Sequence, residues 1–212
     1  MRFPIPAVLV LVAANMGLCI PVPAAAQTPP SLEELSFSTL LREAEGGDAN
    51  TQNILGDMYS GGIGVARDYA EAIKWYRQSA EQGNDRGQFG LAGMYAEGHG
   101  VFQNHAEAIR WYLLSAEQGN RDAQGMLGRM HDEGTGVAQD LVQARMWYII
   151  AGANGKKDVK DALERVSGLM SETQLDESGK LAEEWMEKHP SSHPGGYYWE
   201  VWEDAPPPVI IR

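Results

Sequence analysis

The sequence predicts an all-α protein, a right-handed solenoid of stacked helix pairs. Residue types recur at a spacing of 36 positions through the middle of the chain. Each recurring unit carries two stretches with the hydrophobic spacing of amphipathic helices, and a glycine-containing loop joins them. Hydrophobic residues make up 43% of the chain and charged residues 22%, which favours a folded core over a disordered chain.

The repeats cover about residues 48–83, 84–119 and 120–155. In each, the first helix is expected to follow an N-cap and bury a leucine, and the second to bury a Trp-Tyr pair. Glycines between and after the helices permit left-handed backbone conformations. The register is established by the N-caps Asp48, Asn84, Asn120, Asp68, Asn104 and Asp140, the capping-box candidates Glu71, Glu107 and Gln143, the leucines Leu55, Leu91 and Leu127, the pairs Trp75-Tyr76, Trp111-Tyr112 and Trp147-Tyr148, and the glycines Gly83, Gly119 and Gly155.

Three blocks of the repeat resemble the Sel-1-like repeat family, a relative of the tetratricopeptide repeat: L-G-x-M-Y at Leu55–Tyr59, G-x-G-V at Gly62–Val65 and A-x-x-W-Y at Ala72–Tyr76. The resemblance extends over about residues 48–156, with departures at Ala92 and His131. It implies an α-solenoid whose first helices line a concave, protein-binding surface. The Gly-x-Gly pair does not predict a phosphate loop, because the third glycine is missing and no strand precedes it.

The solenoid is expected to occupy residues 31–188, with ends that differ from the three repeats. Residues 31–46 predict an N-terminal capping helix, since they keep the register of a second helix but lack the Trp-Tyr pair. Residues 157–188 predict a degenerate fourth unit, whose last helix begins at a capping box formed by Ser171 and Gln174. Such ends with polar outer faces keep a solenoid soluble.

Residues 1–26 predict a secretory signal peptide, because Arg2 precedes a short apolar run and Ala24–Ala26 offers a small-residue cleavage site. The alternative is an N-terminal membrane anchor, but the apolar run is short and prolines interrupt it. Lipid attachment at Cys19 is disfavoured by Leu18 before it. After cleavage we expect no stable membrane span and no cysteine, and the predicted location is the bacterial periplasm or outside the cell.

The segment 190–212 combines prolines with an aromatic cluster, Tyr197-Tyr198-Trp199 and Trp202. Prolines oppose a continuing helix, and exposed aromatic surface is costly in water. The tail therefore either folds back onto the solenoid, which we favour, or docks on another protein.

Composition and motifs argue against several function classes. A net charge of −12 is unsuited to binding nucleic acid, which requires a basic face. The chain has no G-x-S-x-G, S-x-x-K, H-E-x-x-H or C-x-x-C motif. His189 and His193 are four residues apart but lie around a proline, so they do not predict a metal site. We therefore expect no cofactor and no metal.

The leading hypothesis is a non-enzymatic scaffold that binds a protein or peptide in the groove of the first helices. The expected contact residues vary between repeats where the core does not, and they are Asn53, Asp57, Arg86, Phe89, Arg129, Asp132 and Glu133. Arginine and aromatic residues are enriched at binding hot spots, which draws attention to Arg86 and Phe89. Alternatively, Phe89 simply packs between adjacent first helices.

Two other functions stay open. Some secreted proteins that resemble Sel-1-like arrays are linked to binding or hydrolysis of β-lactams, but those are rich in cysteine, which this chain lacks beyond Cys19. A regulator that binds cell-wall fragments is the third option, and exposed aromatic rings would be its first sign.

Overall fold

The computed structural model describes residues 32–190, and these form helices with no β-strand among them. The predicted all-α array of helix pairs is confirmed. The signal peptide predicted at 1–26 and the tail after Pro190 lie outside the described residues. The helices are α1 (Leu32–Glu45), α2 (Ala49–Gly61), α3 (Tyr69–Glu81), α4 (Asp85–Glu97), α5 (His105–Glu117), α6 (Arg121–Glu133), α7 (Leu141–Ala153), α8 (Lys160–Ser167), which a short 3-10 turn at Lys157–Val159 precedes, and α9 (Glu172–Lys188).

Polar side chains cap the helices at the positions that the sequence predicts. The side chains of Asp48, Asn84 and Asn120 accept backbone N–H groups in the first turns of α2, α4 and α6, and those of Asp68, Asn104 and Asp140 do so for α3, α5 and α7. A reciprocal capping box forms at Ser171 and Gln174. The carboxylates of Glu71 and Glu107 instead pair with Lys74 and Arg110, because those cations stand one turn further along the same helix face.

The core runs between the paired helices. Each Trp-Tyr pair is buried, as predicted, together with the leucine of the facing first helix. Glycines let the chain turn between the helices of a pair, since Gly62 and Gly64 hold φ at +70° and +72°. Small residues also set the distance between helices: a Cβ on Gly56 or Gly90 would lie 2.5 Å from the ring of Tyr76. The repeat spacing thus brings one tyrosine ring against two first helices.

Buried glutamines connect each repeat to the next. Gln88 Nε2 donates to the carbonyl of Ala80 at 3.3 Å, and its Oε1 accepts from Gln118 at 2.8 Å. Gln52 and Gln124 make the same two kinds of bond in their own repeats. These amides add a second bond to carbonyls at the end of the preceding helix, each of which also accepts the N–H of a following glycine. The sequence carries this signal as a glutamine every 36 residues, which hydrophobic spacing alone does not reveal.

The two ends of the array complete the stack. α1 occupies the place of a second helix, because Gln52 Nε2 donates to the carbonyl of Ala44 at 2.9 Å. At the other end α8 and α9 pack on α7. Arg145 of α7 anchors α9 by donating to Ser178 Oγ at 2.8 Å and to the carbonyl of Leu175 at 3.2 Å.

Candidate binding face

The helices α2, α4 and α6 carry a surface of residues in related positions of the repeat, and Ala162 of α8 lines a cavity beside it. We call this surface the A-helix face, and its residues include Asp57, Arg86, Phe89, Gly93, Asp122 and Arg129. Of the predicted contact residues, Asp57, Arg86, Arg129 and Glu133 are exposed and Phe89 is half-buried, whereas Asn53 and Asp132 are buried. The two buried residues are engaged within the chain.

In the first repeat a carboxylate accepts the bond of the core tyrosine. Tyr76 Oη donates to Asp57 Oδ1 at 2.7 Å, and Asn53 Nδ2 donates to Asp57 Oδ2 at 3.3 Å. Burial raises the pKa of Tyr76, and Asp57 raises it further because the carboxylate disfavours a neighbouring phenolate. Asp57 is therefore exposed on one side but already bonded on the other.

In the third repeat a carboxylate again meets the core tyrosine, from a different position in the helix. Tyr148 Oη donates to Asp132 Oδ2 at 3.2 Å. The guanidinium of Arg165, on α8, covers the same carboxylate and forms an ion pair with it. Asp132 thus belongs to a closed contact between α6, α7 and α8. Arg165 lies 33 residues further along the chain, so no local pattern could have pointed to it.

The second repeat departs from its neighbours at this point. Its core tyrosine, Tyr112, is 1% exposed, and Gly93 and Ala96 stand where the first repeat has Asp57 and Ser60. A Cβ on Gly93 would meet only the Tyr112 hydroxyl, at 3.9 Å. The half-buried ring of Phe89 lies beside that tyrosine, with 5.6 Å between ring centroids. Phe89 therefore packs on the interior with one side and lines the A-helix face with the other.

Phe89 and Arg129 line a cavity of about 250 Å³ between α4, α6 and α8. Asp122 and Lys156 stand at its wall and form an ion pair at 2.7 Å, and Lys156 also meets Asp158 at 3.1 Å. Burial alone would lower the pKa of Lys156, but the hydrogen bonds to these two carboxylates raise it above its ordinary value. Lys156 is thus a fixed cation inside the cavity wall, whereas Arg129 forms no ion pair or hydrogen bond within residues 36–190.

Arg86, Asn53, Asp57, Asp132 and Glu133 do not line this cavity. A wider, open depression of about 720 Å³ surrounds the loop of the second repeat, where Phe102 is 97% exposed. The predicted contact residues lie elsewhere. Of the seven predicted residues, Phe89 and Arg129 meet in the cavity of about 250 Å³, and Asn53 and Asp57 meet through their hydrogen bond in the first repeat.

The described residues, 32–190, contain neither a metal-ligand cluster nor a membrane-spanning helix. Within this part of the chain, three or more His, Cys, Asp or Glu side chains never converge as metal ligands would. The same part contains no helix of the length and apolar character that crossing a membrane requires.

Comparison with known proteins gives a coherent match to repeat proteins. The model of the Sel1 repeat matches residues 49–84, 85–120 and 121–156, just over half of the chain. The structure is similar to that of a protective antigen of uropathogenic Escherichia coli strains that displays an SLR fold, with a TM-score of 0.70 and 30% identity over 75% of this chain. The chain spans about a third of that antigen, 34% of its length.

A second similar structure is that of a Sel1 repeat protein from Oxalobacter formigenes, with a TM-score of 0.55 and 39% identity. The similarity covers 61% of this chain and 98% of that one. The comparison with curated proteins returned no match. Neither similarity covers the whole of this chain.

Proposed function

Because the chain belongs to the Sel1 repeat family, whose members are generally protein-interaction scaffolds, we propose that it is a non-enzymatic adaptor. Its partner is a protein or peptide that docks on the A-helix face. The observation that carries this assignment is the joint exposure of Phe89 and Arg129 in one cavity of about 250 Å³. An apolar ring beside an unpaired guanidinium is the composition of a hot spot in a protein interface.

The rest of the A-helix face supports a docking role. Asp57, Gly93 and Arg129 occupy equivalent positions in successive repeats. The face is therefore acidic in the first repeat, has no side chain at this position in the second, and is basic in the third. Such a pattern can distinguish one extended peptide from another, because complementary charge fixes the register of a ligand. The second helices carry ion pairs on their outer side, such as Lys74 with Glu71 and Arg110 with Glu107, which satisfy one another without a partner.

Affinity capture from a periplasmic extract tests the proposal. The variant Arg86→Glu/Phe89→Ala/Arg129→Glu alters the A-helix face, and Lys74→Glu/Arg110→Glu makes the same charge change on the outer side of the second helices. We expect the wild type and the outer variant to recover the same proteins, and the A-helix variant to lose them. Melting curves must show that all three proteins are folded. Equal recovery by all three would contradict docking on this face.

We further propose that the chain is exported to the bacterial cell envelope, with cleavage after Ala26. The support is the sequence pattern of residues 1–26, in which a positive charge, a short apolar run and small residues follow one another. Fractionation of cells that express the full chain, with mass spectrometry of the N-terminus, should find Gln27 as the first residue in the periplasm. Retention of Met1 in a membrane fraction would contradict export and favour the anchor.

The competing function, hydrolysis of β-lactams, follows only from resemblance to some secreted proteins with similar arrays. The chain carries no S-x-x-K motif, and its cysteine count is one. A nitrocefin assay on the purified protein distinguishes the two, since an adaptor leaves the colour unchanged.

A further inference from the structure

The hydroxyl of Tyr112 is a buried donor whose counterparts in the neighbouring repeats are bonded to carboxylates. Tyr76 donates to Asp57 at 2.7 Å, and Tyr148 donates to Asp132 at 3.2 Å. Within residues 36–190, the Tyr112 hydroxyl makes no hydrogen bond. A donor that is nearly buried and has no partner in the chain favours an acceptor from outside the chain.

The surroundings of that hydroxyl lead outward to the A-helix face. The hydroxyl lies beneath Gly93, where the missing side chain leaves a gap. The Tyr112 hydroxyl keeps a small part of its surface open to solvent, because it is not among the fully enclosed polar atoms that have no partner. Those atoms belong to Trp75, Trp111, His105, His131 and Asn154. The position that a Cβ on Gly93 would take has the Tyr112 hydroxyl 3.9 Å away and no other side chain within 4 Å, so an acceptor can approach the hydroxyl there.

Arg129 supplies the second donor. It is the residue of α6 equivalent to Gly93 of α4, so it stands next along the A-helix face. Burial raises the pKa of Tyr112, the Glu97 carboxylate raises it further, and the Arg129 guanidinium lowers it by a smaller amount. Glu97 is held by His99, whose Nδ1 lies 2.9 Å from Glu97 Oε2. The guanidinium of Arg129 has no such partner among the described residues.

We propose that Tyr112, Gly93 and Arg129 form a carboxylate-binding site for an acidic side chain of the docked protein partner. The ligand carboxylate enters the gap at Gly93, accepts the Tyr112 hydroxyl on one oxygen and meets the Arg129 guanidinium on the other. It takes the place that Asp57 fills in the first repeat. Phe89, whose ring centroid lies 5.6 Å from that of Tyr112, supplies apolar contact for the stem of the acidic side chain. This inference rests on the proposed docking function and specifies one contact in it.

The test uses the full chain labelled with tyrosine carrying ¹³C at Cζ, with the Tyr112 signal assigned from Tyr112→Phe. The probe is the capped tripeptide acetyl-Ala-Glu-Ala-amide, and its control is acetyl-Ala-Gln-Ala-amide. We expect a saturable shift of the Tyr112 signal with a Kd of about 1–10 mM for the Glu peptide, and binding at least about tenfold weaker for the Gln peptide. The Tyr76 signal should stay unchanged, because Asp57 already occupies its hydroxyl.

Three variants locate the site. Arg129→Gln should abolish the shift, and Gly93→Asp should abolish it as well, because the new carboxylate would fill the gap from within. Gly93→Ala is the matched control for Gly93→Asp and should keep most of the shift. The proposal is overturned if the Tyr112 signal does not move up to about 20 mM peptide, if both peptides act alike, if Arg129→Gln still responds, or if inorganic phosphate binds more tightly than the Glu peptide.

Two further arms separate this inference from its alternatives. If the triple variant of the A-helix face loses its captured proteins and Gly93→Asp keeps them, docking stands and the carboxylate site fails. If neither variant loses them, the docking function itself fails. The acidic residues of the tail are a rival source of carboxylate within the chain. A change of the Tyr112 signal in Glu200→Gln/Glu203→Gln/Asp204→Asn before any peptide is added would assign the site to the tail and overturn a partner as its occupant.

Discussion

The interior between the repeats and the A-helix face differ in how they use the 36-residue period. In the interior the same contact recurs in each repeat, as with Gln88 and Gln124, which both bond a carbonyl at the end of the preceding helix. On the A-helix face, equivalent positions carry unlike residues, such as Asp57, Gly93 and Arg129. Stacking requires identical shapes at every interface, whereas a binding face is specific only if its positions differ.

The largest expected effect comes from removing a ring of the interior. Trp111 is 8% exposed, and Arg110 covers its outer face at 4.5 Å from the ring. Trp111→Ala should lower the free energy of unfolding by about 3–5 kcal/mol, through lost burial and the cavity left behind. Urea denaturation followed by circular dichroism measures this. Phe102→Ala is the control, because a 97% exposed ring should change stability by less than about 0.5 kcal/mol. An unchanged urea midpoint for Trp111→Ala would contradict the assignment of Trp111 to the core.

The glutamine contacts should give the next largest effect. Gln124 is fully buried, donates to the carbonyl of Ala116 at 3.0 Å and accepts from Asn154 at 2.8 Å. Gln124→Leu keeps the volume but leaves Asn154 Nδ2 without its acceptor and removes one bond from the Ala116 carbonyl, which keeps the N–H of Gly119. The expected loss of stability is about 1–3 kcal/mol. Gln78→Leu is the matched control on a partly exposed position, and it should cost less than about 0.5 kcal/mol. Similar midpoints for the two variants would show that the buried amides do not hold the repeats together.

Two glycines of α4 sharpen the comparison within a single helix. Gly90 faces the interior, where a Cβ would lie 2.5 Å from the ring of Tyr76, and Gly93 faces the gap described above. Gly90→Ala should therefore destabilise the fold by about 1–3 kcal/mol. Gly93→Ala should stabilise it by about 0.5–1 kcal/mol, since alanine has the higher helix propensity and meets no close neighbour. Thermal unfolding of both variants checks the opposite signs, and a shift in the same direction would contradict the assignment of the two sides.

The smallest expected effect concerns pH and the third repeat, where His131 replaces the tyrosine of the other two. Burial lowers the pKa of His131 below its ordinary value of 6.5, although the Asp140 carboxylate acts the other way. As the pH is lowered, His131 therefore takes up a proton at a higher pH in the unfolded chain than in the folded one. The contribution of His131 to the free energy of unfolding should therefore fall as the pH drops from 6.5 to the pKa of His131 in the folded state. Below that pKa its contribution should not change further.

His131→Tyr restores the residue of the other repeats and removes this titration. The difference between the urea midpoints at about pH 7.5 and about pH 5 should therefore be smaller in the variant than in the wild type. The other titrating groups are the same in both proteins, so their contribution to the pH dependence cancels when the two are compared. Equal pH dependence in the two proteins would exclude His131 as a source of it.

The fold was accessible to sequence reasoning because its signals are local and repeated. N-caps, glycine turns and the Trp-Tyr stripe each act within one or two helices, and the period multiplies them. The contact residues were harder to place. Asn53 and Asp132 have the polar character of a solvated face, yet both are buried, because Asp57 receives the amide of the first and Arg165 covers the second.

By itself, the sequence determined the helix pairs, their register and their caps, since these depend on spacing along the chain. Only the tertiary structure decided which polar residues of the first helices remain available to a partner. That outcome depends on groups distant in sequence: Arg165 pairs with Asp132 from 33 residues away, whereas no described residue forms a hydrogen bond or ion pair with the Tyr112 hydroxyl or with Arg129. A hydrogen bond requires two groups to be close in space, whereas a period of 36 residues determines only which positions along the chain are equivalent.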